Sequence, residues 1–252
     1  MSAFSIGYHI GITPAQGAEW ALVTGDPGRV SALAGYLDDP MPLAQNREFT
    51  SWSGNLAGER VIVMSHGIGG PSMAICIEEL ARCGVHTVIR IGTCGGMQPS
   101  VLAGDLIAAT AAIRAEGTSL EYLPVEYPAV ADLQVTRALV EAAEHQNRRI
   151  HAGVVHCKDS FYGQHQPEES PVGDTLKSRW KSWIAGGCLA SEMEAAALFT
   201  VAAVRGVRAG CVLQTLWNQE RRAAGLPDDP VMDTAPAIET AIDALRRLIE
   251  EA

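Results

Sequence analysis

Val85-His86-Thr87-Val88-Ile89-Arg90-Ile91-Gly92-Thr93-Cys94-Gly95-Gly96 is the stretch that decides the fold. Val88, Ile89 and Ile91 read as a buried strand. Arg90 interrupts that run and needs a partner, because an unpaired buried charge is very costly. The glycines that follow predict a turn at which backbone approaches a ligand closely. A guanidinium beside the Thr93 hydroxyl suits a phosphate-sized anion. A structural ion pair for Arg90 is an equally open reading at this point.

Upstream, Val61 to Met64 reads as a second buried strand, running into His66-Gly67-Ile68-Gly69-Gly70-Pro71-Ser72 and a helix from Met73 to Cys83. These glycines depart from the dinucleotide pattern G-x-G-x-x-G, and no acidic residue follows at ribose distance. Earlier still, Trp20 to Thr24 predicts a strand that ends at Gly25-Asp26-Pro27-Gly28-Arg29 before a helix from Val30 to Leu37. Backbone N–H groups and Arg29 at a helix start make an anion-binding arrangement; an ordinary Asp-Pro-Gly turn is the alternative. Arg47 to Trp52 precedes a hairpin across Asn55 to Arg60, and His9, in the opening segment Phe4 to Gly11, reads as a solvated side chain.

Downstream, Gly104 to Ile113 is another strand, Tyr122 to Pro128 a loop and Ala131 to Gln146 an amphipathic helix. The strand His151 to Cys157 exits into Lys158-Asp159-Ser160-Phe161-Tyr162-Gly163-Gln164-His165-Gln166, a polar and aromatic loop of the kind that binds ligands. Pro171 to Ile184 predicts a helix over the domain, with Trp180 and Trp183 in the core. Ser191-Glu192-Met193-Glu194 opens a helix from Ala195 to Val204. Carboxylates there are favoured by the helix dipole, and two of them can also clasp vicinal sugar hydroxyls. Val207 to Leu216 is a late strand ending at Trp217-Asn218-Gln219-Glu220, and Ala235 to Ile249 is the last helix. Strands alternating with helices predict one α/β sandwich domain with a largely parallel sheet. Ligands of such sheets bind beyond the carboxyl ends of strands, so the exits at Gly25, Gly67, Arg90, Lys158 and Trp217 belong together.

At 252 residues, 47% of them hydrophobic, the chain can bury a full core, and no run is long enough to span a bilayer. The first residues lack a basic start and apolar block, so no secretory leader is expected. The 6 cysteines sit singly in apolar or Gly-rich segments, predicting buried, reduced thiols in a cytoplasmic protein. A formal net charge of −10 argues against nucleic acid as a partner. A small anionic substrate requires that a few arginines be gathered locally.

Pooled, YHIGI, GDPGRV, REFTSW, HGIGGPS, EELARCGVHTVIRIGTCGG, DSFYGQ and SEMEAA resemble the nucleoside phosphorylases, their uridine phosphorylase branch most closely. The resemblance covers nearly the whole chain. It implies a three-layer αβα sandwich around a mixed, partly barrelled sheet. It also implies reversible phosphorolysis, uridine and phosphate giving uracil and ribose 1-phosphate, with no metal or organic cofactor. Phosphate would meet the Gly25 backbone, Arg29, Arg90 and Thr93, with Arg47 from a neighbouring subunit. Met193 and Glu194 would hold the ribose, and the neighbour's His9 its 5′ hydroxyl. Phe161 and Trp217 would flank the base. A site completed by a neighbour implies at least a dimer, in the family's usual form a hexamer built from three dimers. Glu48, Ile68 and Ser72 match positions that in some relatives surround a monovalent cation such as K+.

The base loop departs from the family. Many uridine phosphorylases carry a Gln and an Arg after the Phe-Tyr pair to read the uracil edge; here Gly163-Gln164-His165-Gln166 follows, without Arg. Gln164 keeps its role after a one-residue shift or His165 takes it over, and Lys158 is an available cation for the leaving base. Purine-specific relatives use an Asp near the end of the late strand as general acid; Asn218 stands at the matching place and cannot deliver a proton so, with Glu220 close by. A phosphorylase of broader or purine specificity, a water-using nucleosidase and a non-catalytic relative are the alternatives.

Overall fold

The computed structural model describes residues 7–252; Phe4, Ser5 and Ile6 of the opening segment lie outside them. The strand β1 (Trp20–Thr24) leads through a 3-10 turn over Pro27–Arg29 into a short α1 (Val30–Ala34). An antiparallel run β2 (Asp38–Asn46), β3 (Phe49–Leu56) and β4 (Glu59–Ser65) precedes α2 (Gly70–Arg82) and the central β5 (Thr87–Gly96). Then come β6 (Leu106–Ala115), β7 (Ala129–Val130), α3 (Leu133–His145) and β8 (Ile150–Lys158). The chain continues through α4 (Phe161–His165), α5 (Gly173–Ala185), β9 (Ala190–Glu192) and α6 (Ala195–Arg205). It closes with β10 (Arg208–Asn218), α7 (Gln219–Ala223) and α8 (Ala235–Glu250).

All these strands join one 10-stranded mixed sheet. β5 pairs with β10, β10 with β6, β6 with β8, β8 with β9, and β9 returns to β5, so these strands close into a barrel. From β5 the sheet continues outward through β1, β4, β3 and β2. The expected barrelled α/β architecture is thus present. Alternation along β1 builds the layers: Ala21 and Val23 face a core with α2 and α6, while Trp20 and Leu22 face one with α1, α3 and α8. Among the described residues no helix is long and apolar enough to cross a membrane, and all the cysteines are buried and free.

Several local expectations are corrected. β5 does not turn after Ile91 but runs straight through Gly92 to Gly96, because β10 pairs with it along that whole length. α1 ends at Ala34, with Gly35 capping it, rather than at Leu37. The strand β2 has no alternating pattern and two prolines, yet it forms the sheet edge, where a missing N–H is tolerated. Trp180 and Trp183 are not in the core: α5 buries only Gly173, and its tryptophans line a surface cavity.

Candidate active site

The exits of β1, β4, β8 and β10, together with β5 from Arg90 onward, surround a single cavity of about 640 Å³, lined among others by Gly25, Gly67, Arg90, Lys158 and Trp217. Arg29, Glu48, Ile68, Thr93, Phe161 and Gln164 line it too, as do His165, Met193 and Glu194. The polar exits grouped by sequence therefore do share one space.

At one end stands Arg90, 3% exposed. Its Nη2 pairs with Glu194 Oε2, and its Nη1 lies 3.4 Å from Glu192 Oε2. Burial works against the Arg90 charge, but Glu194 and Glu192 more than offset it and raise its pKa above the usual value. The side chain lies back along its own strand over Gly92, where a Cβ would stand 2.7 Å from Arg90 Cζ. Glycine is needed at 92 for this close approach. The predicted partner for Arg90 is thus found, and the ion pair and the cavity wall are the same side chain.

Glu194 is held from both sides, Oε1 accepting from Gly69 N at 2.6 Å and Oε2 from Arg90. Each oxygen keeps a further lone pair. Glu192 is a correction. It belongs to the cavity lining, but its carboxylate is buried and engaged, accepting from Glu194 N and Ala195 N at the start of α6 with Arg90 Nη1 3.4 Å away, so it is not free to clasp a sugar. Its burial raises the carboxyl pKa against the pull of Arg90.

At the Pro27 turn the backbone is partly engaged by its own chain. Asp26 Oδ1 accepts from Gly28 N at 2.8 Å, which consumes a backbone donor that an anion would use. What remains there is Arg29, whose Nε is 3.8 Å from Asp26, and the Gly25 backbone. Behind Gly25, His66 is completely buried and neither ring nitrogen has a partner among the described residues. Burial, then the charge of Arg90, pushes its pKa well below the ordinary value.

At the other end, Lys158 terminates β8 and is buried, 8% exposed, not a solvated loop residue. Its Nζ donates to Ser191 Oγ at 2.9 Å and to Glu192 O at 3.4 Å. Burial lowers its pKa, with Glu192 pulling the other way. The expected loop after Lys158 contains α4, capped by Ser160 Oγ on Gly163 N. That turn brings Phe161 and His165 together, ring centroids 4.4 Å apart, with Trp217 5.9 Å from His165. Burial and the Lys158 charge lower the His165 pKa.

Asn218 does not face the cavity. Its Nδ2 donates to Gln98 O and Val101 O, both at 2.8 Å, and its Oδ1 accepts from Glu220 N and Arg221 N. Glu220 is turned to Trp180 Nε1 at 2.7 Å. Neither lines the cavity.

Arg47 and His9 are not among the lining residues of their own chain. Arg47 sits exposed at the β2–β3 turn with φ 53°, and His9 Nδ1 pairs with Glu79 at 2.7 Å. Ser72 lies just behind the cavity, its Oγ 2.8 Å from Glu48 Oε1. Ser191, a lining residue beside Lys158, carried no signal in the sequence beyond a small polar residue before Glu192; only the pairing of β9 with β8 and β5 places it.

Residues 19–251 match the family described as the phosphorylase superfamily. The chain is 51% identical over 244 residues to a uridine phosphorylase of Treponema pallidum (strain Nichols), covering 97% of this chain and 95% of that one. A uridine phosphorylase of Escherichia coli (strain K12) is 40% identical over 247 residues, covering 96% and 98%. A guanosine phosphorylase of Halorubrum lacusprofundi is 42% identical over 194 residues, covering 77% and 76%.

Proposed function

This chain belongs to the phosphorylase superfamily, and we propose that it is a uridine phosphorylase, converting uridine and phosphate to uracil and ribose 1-phosphate. The observation that carries this reading is the one cavity that has Arg29, Arg90 and Thr93 at one end, Glu194 and Met193 beside them, and Lys158, Gln164 and His165 at the other.

In this reading phosphate lies against Arg29, Arg90, Thr93 and the Gly25 backbone, and Arg47 of a second copy completes its shell. The gathered guanidiniums supply a local positive field in an acidic chain. Glu194 accepts from the ribose 2′ and 3′ hydroxyls with its remaining lone pairs, and Met193 packs against the sugar. His9 of the second copy reaches the 5′ hydroxyl. As the C1′–N1 bond breaks, its electron pair goes to uracil and the ribose becomes oxocarbenium-like. A phosphate oxygen then bonds to C1′. Lys158 and His165 donate to the carbonyl oxygens of the departing base, and the uracil anion later takes a proton from solvent. Donors placed where charge develops are worth ~10²–10³ in rate each.

Asn218 and Glu220, both turned away, supply no acid for a purine N7. This supports the pyrimidine side against the guanosine phosphorylase likeness. No metal or organic cofactor takes part in this scheme. In this reading Glu48, Ile68 and Ser72 surround a monovalent cation between two copies; Ser72 Oγ donates to Glu48 Oε1 at 2.8 Å, and the Glu48 carboxyl is held low by its own backbone N–H and by Ser72. The assembly is at least a dimer, in the hexameric form common to the family. Free, buried thiols support a cytoplasmic setting.

A panel of uridine, thymidine, cytidine and guanosine, each with phosphate and scored by free base, tests the proposal. Uridine is expected to turn over fastest; turnover of guanosine with none of uridine overturns it.

A further inference from the structure

A serine hydroxyl has one proton to give and two lone pairs to receive with. Ser191 Oγ has three close partners at the base end of the cavity. Lys158 Nζ stands at 2.9 Å, Gln164 Oε1 at 2.6 Å and His156 Nδ1 at 3.1 Å. Lys158 can only donate and Gln164 Oε1 can only accept. The hydroxyl proton therefore goes to Gln164, one lone pair takes the ammonium, and His156 must donate from Nδ1. His156 is neutral over the working range, since burial and the Lys158 charge lower its pKa to about 3. The His156 ring is held by Trp183, stacked with centroids 3.9 Å apart. His156 lines a separate cavity of about 210 Å³ behind the base end, and Lys158 and Gln164 form the wall between the two spaces.

The same bonds fix the Gln164 amide. With Oε1 facing Ser191, Nε2 gives one hydrogen to Gln219 Oε1 at 3.3 Å and keeps the other, while Oε1 keeps a lone pair. A free N–H beside a free acceptor matches a base edge with a carbonyl next to a ring N–H, which is uracil. Cytosine presents the opposite pair, an amino group next to a bare ring nitrogen, and would need the amide turned over.

We propose that Ser191 and His156 are positioning residues that lock the Gln164 amide and the Lys158 ammonium in one orientation, and that this lock discriminates uridine from cytidine. The inference rests on the reading of Lys158, Gln164 and His165 as the base end of the site. His156 does not touch the substrate; it acts through Ser191.

The test compares kcat/KM for uridine and cytidine in the wild type, Ser191→Ala, Ser191→Thr, His156→Leu and His156→Asn, together with the KM for phosphate. Ser191→Ala removes the hydroxyl that Lys158, Gln164 and His156 share and is expected to narrow the uridine-to-cytidine ratio about tenfold, with the phosphate KM unchanged. Ser191→Thr keeps the hydroxyl and is expected to restore the ratio. His156→Leu moves the ratio the same way by less, and His156→Asn, which retains a donor, restores it. Nitrogen-15 NMR of the wild-type His156 ring is expected to show the Nδ1–H tautomer. An unchanged ratio in both Ser191→Ala and His156→Leu overturns the proposal, as does an Nε2–H tautomer in the wild type. Wild-type protein that leaves uridine intact sinks the base-end reading instead, and the tautomer then still decides the hydrogen-bond hub.

Discussion

Arg90 and Glu194 form a buried ion pair in which the arginine is also a wall of the cavity and the glutamate is clamped on its other oxygen by Gly69 N. The proposed phosphate and ribose subsites therefore share one electrostatic unit. Arg90→Met leaves two carboxylates, Glu192 and Glu194, facing one another without their cation. It is expected to cost about 3–5 kcal/mol of stability and ~10²–10³-fold in phosphorolysis. Denaturant unfolding and steady-state kinetics on the same preparation check both effects.

Gly92→Ala tests the seat of the same guanidinium. A Cβ at 92 drives into the Arg90 side chain, which cannot retreat because Glu192 and Glu194 hold its far end. The expected result is a loss of about 1–3 kcal/mol in stability and a rise in the KM for phosphate larger than any change in the KM for uridine.

Lys158 sets a pH dependence. Its folded pKa lies below the ordinary lysine value of 10.5, so the ammonium is present at lower pH and is lost as pH rises through that depressed value. The alkaline limb of kcat/KM is expected below the usual lysine range. Lys158→Arg should move it upward, and Lys158→Ala should cut the rate ~10²–10³-fold. For stability the sign is opposite: the unfolded chain holds this proton to higher pH than the fold does, so this group adds stability as pH rises between the two values.

The two buried histidines act at the acid end. Burial and the Lys158 charge push the His156 pKa down to about 3 in the fold, against an ordinary 6.5, and His66 is lowered strongly as well. As pH falls through 6.5 the unfolded state binds protons that the fold refuses, and stability drops by about 1.4 kcal/mol per pH unit per histidine at most. Replacing His156 by Asn should flatten the slope of unfolding free energy between about pH 6 and pH 4; an unchanged slope would show His156 to be protonated freely.

Arg47 gives the test of a shared site. It does not line the cavity of its own chain, and the reading needs it in a neighbour's. Arg47→Ala and Glu194→Gln are each expected to be nearly inactive. Mixing them under conditions of subunit exchange should revive about one site in four, as hybrid dimers pair a sound body with a sound Arg47. No recovery on mixing would place Arg47 outside the site.

Much of this was legible in the sequence because the strands that carry the site are apolar runs with polar ends. The runs at Leu22, Val63 and Ile89 pointed to buried parallel strands, and their exits did converge. β2 was illegible because an edge strand obeys no burial pattern. The roles of Glu192 and Ser191 were illegible for another reason. A carboxylate that caps α6 and one that faces a ligand look identical two positions apart, and only the pairing of β9 inside the barrel separates them. The tryptophans of α5 misled because their size suggested a core, whereas the helix lies on the surface with a cavity beneath it.

The central claim is that phosphate, held by Arg29 and Arg90, attacks the sugar carbon of a nucleoside. It is tested most directly by incubating the protein with uridine and oxygen-18 phosphate. Uracil release should require phosphate and yield, mole for mole, ribose 1-phosphate with the label bridging sugar and phosphorus. Uracil released equally fast without phosphate, with unlabelled ribose as the other product, would contradict it.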